Sequence, residues 1–159
     1  MEERAWDNFT VEFMKLKDLD AVMRVEKECF TIPWSRYAFT CELQDNEISH
    51  YIVARYGEDV VGYAGMWIIV GEAHVTNVGV RLDFRGEGIG ELLMSSLMVI
   101  AKNLGANKMT LEVRKSNYVA QNLYTKLGFE PVGIRPRYYF DNNEDAVIMW
   151  VDFNKSLSN

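Results

Sequence analysis

The sequence predicts a single α/β domain spanning residues 1–159, on three observations. Runs of β-branched and aromatic residues of strand length are interspersed with segments of helical periodicity. A glycine-rich turn leads straight from a strand into a strongly amphipathic helix. No linker, internal repeat or low-complexity tract divides the 159 residues. A chain of this length can bury a real core without disulfides or metal. Its 48% hydrophobic and 25% charged composition is that of an ordinary globular protein.

The elements follow in order. Phe9, Val11 and Phe13 alternate with polar residues and predict a first strand. Asp18 is placed to cap a helix carrying Leu19, Val22, Met23, Val25, Cys29 and Phe30 at helical spacing. Pro33 bars its continuation, and Ser35 opens a second helix with Tyr37, Phe39 and Leu43. His50–Tyr56, Val60–Val70 and Glu72–Arg81 read as an antiparallel meander, turned at Gly57-Glu58-Asp59 and at Gly71. After the turn Arg85–Gly90, the residues Ile89, Leu92, Leu93, Leu97, Ile100, Ala101 and Leu104 mark the apolar face of a helix stopped by Gly105. Met109, Leu111 and Val113 form one face of the next strand. A helix over Asn117–Leu127 follows, closed by Gly128. Phe129–Ile134 and Ala146–Phe153 read as strands around an Asp141-Asn142-Asn143 turn.

Composition narrows the function classes. No apolar run approaches the roughly 20 residues of a membrane helix. The amino terminus, MEERAWDNF, lacks the apolar core of a secretion signal, so a cytoplasmic protein with no membrane partner is expected. The net charge is −6 and no dense Lys/Arg run occurs, which argues against nucleic acid as a partner and suits one with a cationic end. Cys29, Cys41, His50 and His74 lack metal-site spacing, so no metal is expected, and the two cysteines read as small buried thiols.

The turn Arg85-Gly86-Glu87-Gly88-Ile89-Gly90 is the chemically informative segment. Its glycines keep Cβ atoms away, so that successive N–H groups can converge on an anion, and the helix behind adds partial positive charge. A phosphate or pyrophosphate cradle results. The spacing GxGxG is not the dinucleotide fingerprint GxGxxG, and no Lys-Ser or Lys-Thr completes a nucleoside-triphosphate loop.

Arg85, Gly88 and Gly90 match the Arg/Gln-x-x-Gly-x-Gly/Ala loop, and the chain resembles the GNAT superfamily of N-acetyltransferases along about residues 10–153. Glu72-Ala73-His74-Val75-Thr76-Asn77-Val78-Gly79-Val80 is similar to the strand before that loop. Leu111-Glu112-Val113-Arg114-Lys115-Ser116-Asn117, Ala120, Leu123-Tyr124 and Leu127-Gly128-Phe129 are similar to the second cofactor element. Arg137-Tyr138-Tyr139 and Glu144–Met149 resemble the carboxyl end of protein N-terminal acetyltransferases. Phe30-Thr31-Ile32-Pro33-Trp34-Ser35 resembles the RimI branch, which acts on ribosomal-protein alanine. Gly79 departs from the alanine common in that branch, a change expected to affect packing more than chemistry.

The resemblance implies a mixed, mostly antiparallel twisted sheet of about seven strands, flanked by about four helices and opened by a central splayed strand pair. It implies acetyl-CoA as cosubstrate. The thioester carbonyl would be held by backbone N–H groups of Val78, Gly79 and Val80, the pyrophosphate by Arg85, Gly86, Glu87, Gly88, Ile89, Gly90 and Glu91, and the pantetheine arm or nearby phosphate by Asn117. Transfer to an amine needs a base for the ammonium and an acid for the departing thiolate. Glu112, which alternates away from the buried stripe, matches the family's base, acting directly or through a water; Tyr124 matches its acid. Trp34, Tyr138 and Tyr139 are the candidate walls of a slot admitting a chain end. His74 and His50 read as structural, though His74 lies on the central strand where substrate could reach it. The expected activity is acetylation of a protein α-amino group, in the RimI manner the N-terminal alanine of a small-subunit ribosomal protein. A lysine, polyamine or drug amine as acceptor, or a non-catalytic acyl-CoA-binding module, are the alternatives; Glu112 and Tyr124 argue against the last.

Overall fold

A computed structural model describes residues 8–154 and sets out seven strands and four α-helices in chain order. They are β1 (Phe9–Phe13), α1 (Leu19–Cys29), α2 (Arg36–Gln44), β2 (Ser49–Tyr56), β3 (Asp59–Ile69), β4 (Glu72–Val80), α3 (Ile89–Asn103), β5 (Lys108–Arg114), α4 (Tyr118–Lys126), β6 (Glu130–Tyr139) and β7 (Glu144–Asp152). The strands hydrogen-bond in the order β1-β2-β3-β4-β5-β7-β6. β1 with β2, β2 with β3, β5 with β7 and β6 with β7 pair antiparallel. β4 and β5 pair parallel over a short ladder, Glu72↔Lys108 to His74↔Thr110, and each strand runs on past it. This is the mixed sheet that the family resemblance implies.

The chain divides into two compact units, one of Met1–Trp67 with Thr76–Leu97, the other of Ile68–Val75 with Met98–Asn159. In the first unit the amphipathic stripe of α1 and one face of β2 and β3 bury Leu19, Val22, Val25, Phe39, Tyr51, Val53 and Tyr63. Phe39 meets Tyr51 and Tyr63 edge to face, with ring centroids 6.2 and 5.7 Å apart, the arrangement that aromatic quadrupoles favour. In the second unit alternation along β5 buries Met109, Leu111 and Val113 and turns Thr110 and Glu112 to the other face.

Three expectations are corrected. Asp18 does not cap α1: it has helical dihedrals, closes a 3-10 turn over Leu16–Asp18, and makes no side-chain cap bond to α1. Its buried carboxylate instead takes the Lys15 N–H at 2.9 Å and Arg55 Nη2 at 2.6 Å, because a buried charge needs a counter-charge more than a helix needs a cap. Leu104 is 52% exposed, since α3 ends one residue before it, and Met94 is buried in its place among the core residues of that helix. β6 runs on to Tyr139, beyond the expected Ile134, because β7 supplies a partner as far as Tyr139↔Glu144. The register shifts on the way, and Arg137 takes φ 51° there with its N–H on Asp145 Oδ1 at 2.9 Å. Ser35 does cap α2, its hydroxyl accepting from Ala38 N at 3.1 Å.

Candidate functional site

The glycine turn belongs to the first unit. A 3-10 turn over Leu82–Phe84 carries the chain from β4 to Arg85, whose guanidinium folds back, Nε on the Val80 carbonyl at 3.4 Å and Nη2 on Cys29 Sγ at 3.5 Å. Cys29 donates its thiol to the same carbonyl at 3.3 Å. Gly86 and Gly88 then adopt φ of +83° and +81°, a left-handed region that side chains with a Cβ rarely enter. An added Cβ on Gly86 would meet nothing within 4 Å, so the glycine serves the backbone path rather than close packing. The path ends at the amino terminus of α3, anchored by buried Ile89, Leu93 and Leu97. A loop of this shape before a 15-residue helix fits a pyrophosphate by backbone donors and dipole together.

Two glycines seat this machinery on the sheet. A Cβ on Gly62 would lie 3.0 Å from the Gly79 carbonyl and 3.1 Å from Leu93 Cδ1, so β3 must be bare where α3 crosses it. A Cβ on Gly79 would fall 2.9 Å from Tyr63 Cε1. The Tyr63 ring thus crowds the space that alanine would need, so this departure has a packing consequence. The Tyr63 hydroxyl donates to buried Glu26 Oε2, and Glu26 Oε1 accepts the Trp34 N–H at 3.0 Å. Burial pushes the Glu26 carboxyl up to about 7, against the pull of the Trp34 hydrogen bond.

Trp34 packs on Phe39 with centroids 5.3 Å apart. With Ala38, Cys41, Glu42, Asp45, Asn46 and Trp67 it lines an open pocket of about 480 Å³. Buried Glu42 organises that wall, accepting Trp67 Nε1 at 2.9 Å, Asn46 Nδ2 at 2.6 Å and the Tyr51 hydroxyl at 3.2 Å. Tyr51 bonds Thr76, which donates to Asn77 Oδ1 at 2.9 Å. The buried Asn77 Nδ2 finds no partner among the described residues. No motif in the sequence singled out Glu42 or Asn77 for these positions.

The acid–base candidates belong to the second unit. Glu112 projects from β5 with its side chain 8% exposed, Oε2 lying 2.7 Å from His74 Nε2 on β4 and Oε1 accepting Arg135 Nε of β6 at 3.2 Å. Burial works to raise its pKa, but the His74 hydrogen bond, the His74 charge and then Arg135 outweigh it and hold the carboxyl below the usual range. The sequence set Glu112 opposite the buried stripe of β5, where it lies, but gave no sign of Arg135. It read His74 as structural though within reach of substrate, and the parallel ladder beside Thr110 brings that imidazole onto the carboxylate.

Asn117 caps α4, its Oδ1 accepting from Ala120 N at 3.1 Å. Tyr124 of α4 packs on Phe129 at 5.8 Å, and burial pushes its phenol up to about 12. Tyr138 and Tyr139 stand at right angles, 5.1 Å apart. Arg114 stacks 4.0 Å over Tyr139 while its guanidinium grips Asp141 at 2.9 and 3.0 Å and Glu144 at 3.3 Å. The β6–β7 turn is thereby tied to the end of β5. The structure brings Glu112 and His74 together and joins Tyr138 to Tyr139 in the second unit, while Trp34 belongs to the first.

Comparison with known proteins gives a consistent result. The pattern of the acetyltransferase (GNAT) family matches residues 19–129. A protein of Bacillus subtilis (strain 168), provisionally named a ribosomal protein bS18-alanine N-acetyltransferase, is 43% identical over 145 residues, 91% of this chain and 96% of its own. The ribosomal protein bS18-alanine N-acetyltransferase of Escherichia coli (strain K12) is 31% identical over 142 residues, covering 88% and 95%. The crystal structure of the Escherichia coli ribosomal-protein-S18-alanine N-acetyltransferase superposes with a TM-score of 0.84 at 29% identity, over 91% of this chain and 94% of that one.

Proposed function

Because the chain belongs to the GNAT acetyltransferase family, we propose that it transfers acetyl from acetyl-CoA to a protein α-amino group, that of the N-terminal alanine of ribosomal protein bS18, in the cytoplasm. The observation that carries this reading is the reach of the likeness. Relatives named for that activity match over 91% and 88% of this chain, so the segments flanking the cofactor loop are included along with the loop itself.

Each residue has a role that its setting supports. Acetyl-CoA supplies the activated acyl group. Arg85 to Glu91 hold its pyrophosphate on backbone donors, for which Gly86 and Gly88 have the required positive φ. The N–H groups of Val78, Gly79 and Val80 receive the thioester oxygen and the negative charge that develops on it. Asn117, with Oδ1 committed to its cap, offers Nδ2 to the pantetheine arm. Glu112, directly or through a water, collects the ammonium proton, and Tyr124 donates toward the departing thiolate. Trp34, Tyr138 and Tyr139 bound the peptide.

Incubating the protein and acetyl-CoA with peptides beginning Ala, Ser, Met or Gly, followed by fragment mass spectrometry, tests the acceptor. Acetyl is expected on the α-amine of the Ala peptide first. Modification confined to a lysine side chain of peptides whose α-amine is free would assign another acceptor. In the same assay Glu112→Gln is expected to lower kcat by ~100- to 10,000-fold with acetyl-CoA affinity retained.

A further inference from the structure

The Glu112 carboxylate is engaged on both oxygens, by a guanidinium on one side and an imidazole on the other. An amine terminus has a pKa near ~8 and an ordinary carboxyl near ~4.3, so proton transfer between them is uphill by almost four units. Arg135 and His74 lower the carboxyl further and widen that gap. A carboxylate so placed orients a neighbour well and accepts a proton poorly. The neighbour it orients is an imidazole, the side-chain type best suited to accept protons near neutral pH, and this one is 36% exposed where the carboxylate is 8% exposed.

We propose that His74 is the proton acceptor of acetyl transfer and that Glu112 is its positioning partner. The carboxylate takes the Nε2–H at 2.7 Å, which fixes the ring plane and puts the basic lone pair on Nδ1. Arg135, on the far oxygen, keeps Glu112 ionised and its rotamer fixed. This rests on the proposed amine acetylation and changes which atom takes the proton. The amine loses one proton to His74, its lone pair forms the C–N bond as the C–S bond breaks, and the sulfur leaves with that bond's electron pair. One further N–H proton is then released, so that one proton ends on the sulfur and one in solvent. Arg135, Tyr138 and Tyr139 of β6 also face Glu112, and burial first of all raises both phenols, so they stay neutral through the working range.

The test is kcat/KM between pH 6 and 9.5, with an Ala-starting peptide, for wild type, H74Q, E112Q and the double variant, beside melting temperature and acetyl-CoA affinity. H74Q keeps a donor for Glu112 but cannot take a proton. It is expected to lose about 100-fold at pH 7 with acetyl-CoA affinity unchanged. The deficit should shrink above pH 9, where the amine arrives deprotonated. The double variant should be no slower than H74Q alone, as for groups acting as one unit. If H74Q folds poorly, H74A with added imidazole replaces it, and recovery of turnover by imidazole is expected. H74Q within threefold of wild type, with E112Q still 100-fold down, would overturn the proposal and leave Glu112 itself as the base. A pH-independent loss, or no rescue by imidazole, would also overturn it, making His74 structural. No acetylation of any α-amine by the wild type would instead defeat the proposed function.

Discussion

At Gly79 a single absent methyl group decides what the neighbouring strand can carry. The Tyr63 ring lies 2.9 Å from where a Cβ would stand, and through Glu26 it reaches the backbone of Trp34. Tyr124 shows the same dependence of role on surroundings. A phenol pushed up to about 12 stays protonated at neutral pH, so it is always available as a donor. Complete proton transfer to a thiolate of pKa about 8.5 is uphill by roughly 3.5 units, so hydrogen bonding to the leaving sulfur is the larger part of what it can offer. Tyr124→Phe should therefore lower kcat by only about 3- to 10-fold, less than Glu112→Gln, while leaving acetyl-CoA affinity nearly unchanged. Steady-state kinetics beside a melting curve decide this: a destabilised variant with full kcat would remove Tyr124 from the chemistry.

Among the elements, the turn between β4 and α3 and the hairpin β6–β7 are held by opposite means. The turn is made by glycines whose φ values other residues rarely adopt, and it presents backbone. The hairpin is made by side chains, with Arg114 gripping Asp141 and Glu144 and stacking on Tyr139. Substitution in the turn should accordingly affect cofactor binding and leave the hairpin intact. Gly88→Asp places a Cβ at φ +81° and a carboxylate where an anion is to bind, so acetyl-CoA affinity should fall at least about tenfold. Calorimetry that found wild-type affinity in a folded Gly88→Asp variant would move the pyrophosphate elsewhere.

For the whole molecule, the buried carboxyl of Glu26 couples folding to pH. Its pKa rises from 4.5 to about 7 on folding, chiefly through burial, so the folded state holds a proton that the unfolded chain gives up. The contribution to stability is complete below pH 4.5 and is lost as pH rises through about 7, roughly 3 kcal/mol at most. Asp18 and Glu112, whose pKa values are lowered, act the other way and below pH 4.5, outside this window. Urea unfolding should show the Glu26 loss of stability between pH 5 and 7, opposed in part just below pH 6.5 by His50, whose pKa burial lowers, and Glu26→Gln should make the slope more positive across that range. An unchanged slope in that variant would place the linkage on another group.

Periodicity, glycine spacing and β-branched runs determined most of the elements and the glycine turn, because each is written in neighbouring residues a few positions apart, while the mixed sheet came only with the family resemblance. The alternation of β5 likewise set which face carries Glu112. Nothing local joins His74 to Glu112, 38 positions apart, or Glu26 to Tyr63, 37 apart. Those pairs arise where strand register and helix packing bring distant residues together. Only the tertiary structure decided which carboxyl is buried and protonated, which is ionised, and which imidazole it holds, because desolvation and counter-charge depend on neighbours in space.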